Sequence, residues 1–212
     1  MTARPLLLLG GGGLAREVLA AVRALPEDFT PLGVLDDDPA KHGADLDGLP
    51  VLGGAELVAE HPDALAVACV ASVHRPGARA ALVERVGLPD ERWTTVVHPA
   101  ASVAPGTDLG VGTVLLACAV ITAPVPVGRH VVAMPHVLIT HDCTIGDFAT
   151  FAGRATLAGG VTVGRDAYLG QGALVREGRA IGERAVVGMG SVVLDSVPSG
   201  QTWVGNPARR LR

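Results

Sequence analysis

One period governs the second half of this chain. Written in sixes from Val97, all seventeen first positions through Val193 are apolar, and all but Ala133 are large. Ile121, Ile139, Phe151, Leu169 and Val187 are typical. The fifth position is small or β-branched from Ala101 to Ala173, and Arg179 is the exception. The second position is repeatedly glycine: Gly110, Gly128, Gly146, Gly164, Gly170, Gly182 and Gly188. Neither a 3.6-residue helix nor an alternating strand produces a six-residue repeat. A triangular solenoid does, with each hexad making one flat side and a corner and three hexads making a coil of about 18 residues. The first position fills the interior, the fifth points inward near the corner, and glycine is expected to supply backbone freedom at the turn. Coils stack at strand spacing, about 4.8 Å. Arg179 in an inward slot predicts a local bulge.

The interior of such a prism is narrow, which explains why only 3% of the residues are aromatic although 49% are hydrophobic. The net charge of −4 argues against a broad nucleic-acid surface, and no nucleic-acid partner is expected. The first apolar run, Leu6 to Leu9, ends in glycines after four residues, so neither a signal segment nor a membrane span is expected there. Three scattered cysteines, Cys69, Cys118 and Cys143, form no disulfide or zinc pattern, and a reduced, cytoplasmic setting is expected.

Residues 1–96 follow a different rule. Leu6–Leu9 reads as a buried strand, Gly10–Gly13 as a turn, and residues 14–25 as a helix closed by Pro26. Residues 31–35 form a second strand ending in acidic residues, and residues 55–60 a short helix. Residues 64–71 form an all-apolar strand, and residues 75–86 a helix ending at Gly87. The alternation predicts a small, mostly parallel sheet covered by helices. The loop Gly10-x-Gly12-x-x-Ala15 opens a helix, where backbone amides approach a phosphate. Asp36 and Asp37 end the next strand, where a ribose or base is commonly held. Fewer than 100 residues make about half of a full dinucleotide-binding domain, so a mononucleotide diphosphate fits better. A purely structural glycine turn stays open as the alternative.

The unbroken hexads resemble the bacterial hexapeptide acyltransferases, whose solenoid is a left-handed β-helix and which are usually trimers. The tail Gly205-Asn206-Pro207-Ala208 is similar to the segment that closes many of them. Both halves together, with His98-Pro99-Ala100 and His141-Asp142-Cys143-Thr144-Ile145-Gly146, resemble the sugar O- and N-acetyltransferases of the sialic-acid and bacillosamine type. The resemblance implies an acetyl-CoA-dependent enzyme and a nucleotide-linked 4-amino sugar as acceptor. A sialic-acid-type O-acetyltransferase and a non-catalytic nucleotide-sugar-binding protein are the alternatives. A Rossmann-like domain over 1–96 would bind the nucleotide-sugar. A β-helix over 97–212, with a short tail, would carry acyl transfer in a homotrimer with active sites between subunits.

Acyl transfer needs a base for the attacking group, a polarised thioester carbonyl and alignment of both substrates. Imidazole titrates near neutral pH, and His141 sits at a corner position that points outward. Gly159 follows 18 residues later and stacks beside it, with its N–H facing the thioester oxygen. The resemblance makes Asp142 the partner that raises the basicity of His141, uses a glycine amide at the place of Gly159, and puts CoA near Gly160, Gln171, Met189, Asn206 and Pro207. It places Gly12, Gly13, Leu14, Asp36, Asp37 and Val70 at the acceptor. Departures accompany it: Leu14 stands where the family has histidine, and Val70-Ala71-Ser72 replaces a polar Gly-Asp/Asn-Asn stretch. Thr150 replaces a second histidine near CoA, and Gly153-Arg154-Ala155 replaces Pro-Gly-Ala. Cys143 reads as core. A zinc hydratase would use His136 and His141, but it needs a third histidine where Ala100 stands, and no metal is expected.

Overall fold

The computed structural model describes residues 2–211. The chain begins with β1 (Arg4–Leu9), α1 (Gly13–Arg23) and β2 (Phe29–Leu35). A hairpin follows, β3 (Asp45–Leu46) and β4 (Leu49–Gly53), then β5 (Leu65–Ala68) and α2 (Ala78–Val86). The sheet order is β3-β4-β2-β1-β5, parallel except for the β3–β4 pair. Sequence reasoning missed the hairpin, although Asp47-Gly48 is a strong turn signal; both residues have positive φ, 51° and 84°. The short helix expected over residues 55–60 forms as a 3₁₀ helix, Ala55–Glu60. β1 and β5 are central or helix-covered, so Leu6–Leu9 and Leu65–Ala68 are almost fully buried.

A left-handed parallel β-helix follows this Rossmann-like unit. Its two-residue strands stack into three faces. The first face runs from Val96–Val97 through Val132–Ala133 and Tyr168–Leu169 to Thr202–Val204. The second runs from Ser102–Val103 to Val192–Val193, and the third from Asp108–Leu109 to Ala180–Ile181. Register partners lie one coil apart, as in Val120↔Leu138 and Thr156↔Leu174. First-position residues from Leu115 to Val193 are 0–4% exposed, and the fifth-position residues Ala119, Val137, Cys143, Ala155 and Ala173 are 0–1% exposed.

Two details of the repeat differ from expectation. Turn freedom resides in the fourth position, not the second. Positive φ falls on Cys118, His136, Asp142, Arg154 and Gly172. The second-position glycines answer to close coil stacking instead. A Cβ on Gly110 would lie 2.4 Å from the Gly128 carbonyl carbon, and one on Gly146 would lie 2.8 Å from the Arg165 nitrogen. No bulge forms at Arg179, because Thr162↔Ala180 and Val163↔Ile181 keep register. Its side chain turns out to donate to the Glu177 carbonyl at 3.1 Å. The last coil is shortened, so Val197 bridges Ile181 and Trp203 pairs with Val187. The tail then folds back as an antiparallel pair that buries Ala208 under the solenoid.

The two parts share one core along the first face. Outward-facing Val96, Val114 and Val132 are fully buried against Leu14, Val18 and Val22 of α1. Leu14 is therefore a core residue at this seam and does not line an acceptor pocket. This corrects the sequence expectation: its side chain is apolar and only 8% exposed.

Candidate active site

His141 lies at the corner between the second and third faces, bracketed by Leu138–Ile139 and Thr144–Ile145. The corner residue after it, Asp142, has φ of 59°. Neighbouring side chains on a straight strand diverge; this turn brings them back together. The Asp142 Oδ2 to His141 Nδ1 distance is 2.7 Å. Nδ1–H therefore donates to the carboxylate, which leaves the Nε2 lone pair free. Both side chains are exposed, at 67% and 82%.

Gly159 lies one coil away, directly against the imidazole. A Cβ there would come 2.4 Å from His141 Cε1 and 2.7 Å from Nε2, so only glycine lets the ring occupy this position. The Gly160 N–H is already spent on the His141 carbonyl at 3.0 Å. The Gly159 N–H takes no part in the backbone hydrogen bonds of the corner. One corner thus presents a free imidazole nitrogen beside a free amide.

Gln171 and Met189 lie at a different corner, between the first and second faces. They line a groove of about 470 Å³ with His136, Arg154 and Tyr168 from the solenoid and Glu17 from α1. Met189 is 80% exposed, an adaptable thioether left open to solvent. Asn206 and Pro207 are exposed in the tail turn, after Val204, which packs over Gly188.

Thr150 belongs to neither group. It is 5% exposed, and its hydroxyl accepts from Arg79 at 2.9 Å. Buried and bonded in this way, Thr150 offers no free side chain to a cofactor, and the expected role in holding CoA is corrected. Arg79 is a residue the sequence reading overlooked. It is 4% exposed and donates to the carbonyls of Val70, His130 and Phe148 at 2.7–2.9 Å, joining α2 and the end of β5 to the solenoid. Burial pulls its pKa down to about 10, and Asp166 acts in the opposite sense, so it stays charged at neutral pH. Beside it His130 is fully buried, stacked on Phe148 and edge-on to Trp93.

At the amino-terminal end, Gly10 has φ of 103°, and a Cβ there would meet Val70 at 2.7 Å. Val70 is thus a packing partner of the loop. Gly12 caps α1, and nothing lies within 4 Å of a Cβ on Gly12 or Gly13. The first turn of α1 holds no acidic residue and no side chain caps it; the Ala15 amide donates to the Gly12 carbonyl, while those of Gly12 and Gly13 take no part in the loop's backbone hydrogen bonds. Asp36 is not open in this way. It accepts from the Gly11 and Asp38 amides and from Lys41, and its side chain is 12% exposed. Burial raises its pKa, but the two amides and Lys41 outweigh it and hold the carboxyl below its ordinary value. Asp36 thus braces the glycine loop. Asp37 accepts from the Ala55 amide and pairs with Arg85.

Among the described residues, no group of three His, Cys, Asp or Glu side chains is placed to hold a metal ion. His136 and His141 sit on different corners. No family model matches the sequence, and no curated protein matches it. Solved structures match along almost the whole chain. PerB from Caulobacter crescentus, crystallised with CoA and GDP-perosamine, is 30% identical with a TM-score of 0.86, over 98% of this chain and 97% of that one. The acetyltransferase domain of PglB from Neisseria gonorrhoeae, crystallised with acetyl coenzyme A, is 26% identical with a TM-score of 0.86, over 99% and 100%. WeeI from Acinetobacter baumannii is 28% identical with a TM-score of 0.82, over 97% and 99%. With its hexad solenoid, its glycine-loop unit and this full-length similarity, the chain belongs to the hexapeptide-repeat sugar N-acetyltransferases.

Proposed function

We propose that this protein transfers the acetyl group of acetyl-CoA to the amino group of a nucleotide-linked 4-amino sugar. The observation that carries the reading is the His141–Asp142 corner laid against Gly159. It occurs in a chain similar end to end to PerB, a protein crystallised with CoA and GDP-perosamine. Residues 1–96 hold the nucleotide-sugar through the open amides of Gly12 and Gly13, with Asp37 and Val70 nearby. Residues 97–212 carry the transfer.

His141 Nε2 takes a proton from the acceptor amine as its nitrogen forms a bond to the thioester carbonyl carbon. The Gly159 N–H stabilises the oxyanion that develops. The tetrahedral species then breaks its C–S bond, and the imidazolium returns the proton to the departing thiolate. Asp142 holds the imidazole in the tautomer this requires and stabilises its protonated form. The exposed Met189 flanks pantetheine, with Gln171, Gly160, Asn206 and Pro207 along the same path.

We also infer a homotrimer. The outward row of the second face includes Val120, Leu138 and Leu174, the last 46% exposed, while the third face shows Asp108, Thr144 and Thr162. The second face separates the His141 corner from the Gln171–Met189 groove. Packing it against another copy brings one copy's His141 to a neighbour's groove and completes the site. Three free cysteines, two of them buried, fit a reduced cytoplasmic setting. The test is thiol release from acetyl-CoA with UDP-, GDP- and dTDP-linked amino sugars and free sialic acid. Release with one nucleotide-linked acceptor, abolished in His141→Ala, is expected. Release only with free sialic acid assigns O-acetylation instead, and unchanged turnover in His141→Ala overturns the base assignment.

A further inference from the structure

Among the described residues, Arg154 is the one full positive charge in the wall of the 470 Å³ groove, and Glu17 is the one carboxylate. Five other arginines of residues 97–211 have acidic partners, among them Arg209 with Asp195, while Arg179 and Arg210 have none among the described residues. Arg129 pairs with Asp90, Arg165 with Glu84, Arg176 with Glu177, and Arg184 with Asp166. Arg154 has no such partner among the described residues and is exposed at its corner. It also holds a backbone conformation that costs an arginine more than a glycine: φ is 64°. The same corner position in the next two coils is glycine, Gly172 at 69° and Gly190 at 64°. A guanidinium without an acidic partner therefore stands at a corner where the fold accepts glycine. It adjoins Gln171 and Met189, and the groove provides no internal counter-charge to it within ion-pair distance.

Resting on the proposed reaction, we propose that Arg154 is a specificity-determining residue that recognises a phosphate group in this groove. A guanidinium presents two parallel N–H donors that match two phosphate oxygens, which a point charge does not. Neither the acetyl group nor the amine it joins is anionic. The anionic oxygens of this reaction are the phosphates of CoA and the diphosphate of the acceptor. Glu17 gives the groove a polarity that directs the phosphate to the Arg154 wall and away from α1.

The test is calorimetric titration of the full chain with CoA, 3′-dephospho-CoA, pantetheine, GDP, UDP and dTDP, for wild type, Arg154→Gly and Arg154→Lys. Thermal melting of each variant accompanies it. The expected result is at least a tenfold weaker Kd in Arg154→Gly for one phosphate ligand, an intermediate value in Arg154→Lys, and pantetheine binding that does not depend on residue 154. Loss with CoA but not with the nucleotides assigns the donor phosphates, and the reverse assigns the acceptor diphosphate. A loss retained by 3′-dephospho-CoA narrows the site to the CoA pyrophosphate. Arg154→Gly is expected to melt no lower than wild type, because glycine adopts this φ at less cost. Binding of CoA and all three nucleotides within twofold of wild type in Arg154→Gly overturns the proposal. Arg154-dependent CoA binding without thiol release to any acceptor leaves it standing and overturns the proposed reaction instead.

Discussion

The seam between the two halves makes stability acid-sensitive through one histidine. His130 is fully buried, and neither ring nitrogen has a hydrogen-bond partner. Its ring stacks on Phe148 with centroids 5.0 Å apart and meets Trp93 edge-on at 4.9 Å. Burial, reinforced by the charges of Arg129 and Arg79, lowers its pKa from 6.5 to about 4. The unfolded chain therefore takes up this proton first. The stabilisation is complete above pH 6.5 and drains away as pH falls toward 4. By linkage, the folded state loses about 2 kcal/mol from this group between pH 7 and pH 5, and about 3 kcal/mol once both states are protonated. His130→Phe removes the titration and keeps the stack. The corner tolerates phenylalanine, since Phe148 one coil on has φ of 58°. The Arg79 bond is to the His130 carbonyl and survives. The measurement is urea unfolding at fixed protein concentration at pH 7.5, 6 and 5. Wild type should lose about 2 kcal/mol more than the variant across that range. Parallel pH profiles for the two proteins would show that His130 is not the group responsible.

Other perturbations test the remaining contacts. Gly159→Ala forces the imidazole off its position, because the new Cβ would sit 2.4 Å from Cε1. The expected result in the thiol-release assay is a fall in kcat of about 100-fold with little change in melting temperature. Asp142→Asn removes the carboxylate that accepts from His141 Nδ1 and should lower kcat about tenfold or more. Arg79→Met leaves buried carbonyls of Val70, His130 and Phe148 without donors. It should cost about 3 kcal/mol in denaturant unfolding. Gly128→Ala places a Cβ 2.5 Å from Asp147 Oδ1 and 2.6 Å from its backbone nitrogen, for a loss of about 1–3 kcal/mol by overpacking. Gly172→Ala meets open space and pays only for its positive φ, about 1 kcal/mol by the same assay.

The hexads alone determined the solenoid. A coil's neighbour is always one turn away, so the contacts that build the prism repeat at a fixed separation and leave a periodic trace. First and fifth positions were readable because burial repeats with them, and the stacking of Gly159 on His141 follows from the same register. The glycine loop was readable because Gly10 and the helix cap are local features of a few residues. What the sequence could not decide were contacts with no fixed separation. Arg79 reaches Phe148 across 69 residues. Leu14 buries itself against the first face, and Thr150 closes on Arg79. One trace of the seam was present, the apolar outward residues Val96, Val114 and Val132, which a solvent-facing side would not need. That Asp36 at a strand end also braces the glycine loop is visible only in its hydrogen bonds. The sequence determined which residues meet at the His141 corner, because residue type and coil period suffice for that. Tertiary structure decided which polar groups remain free, because a side chain's availability depends on partners brought to it from distant parts of the chain.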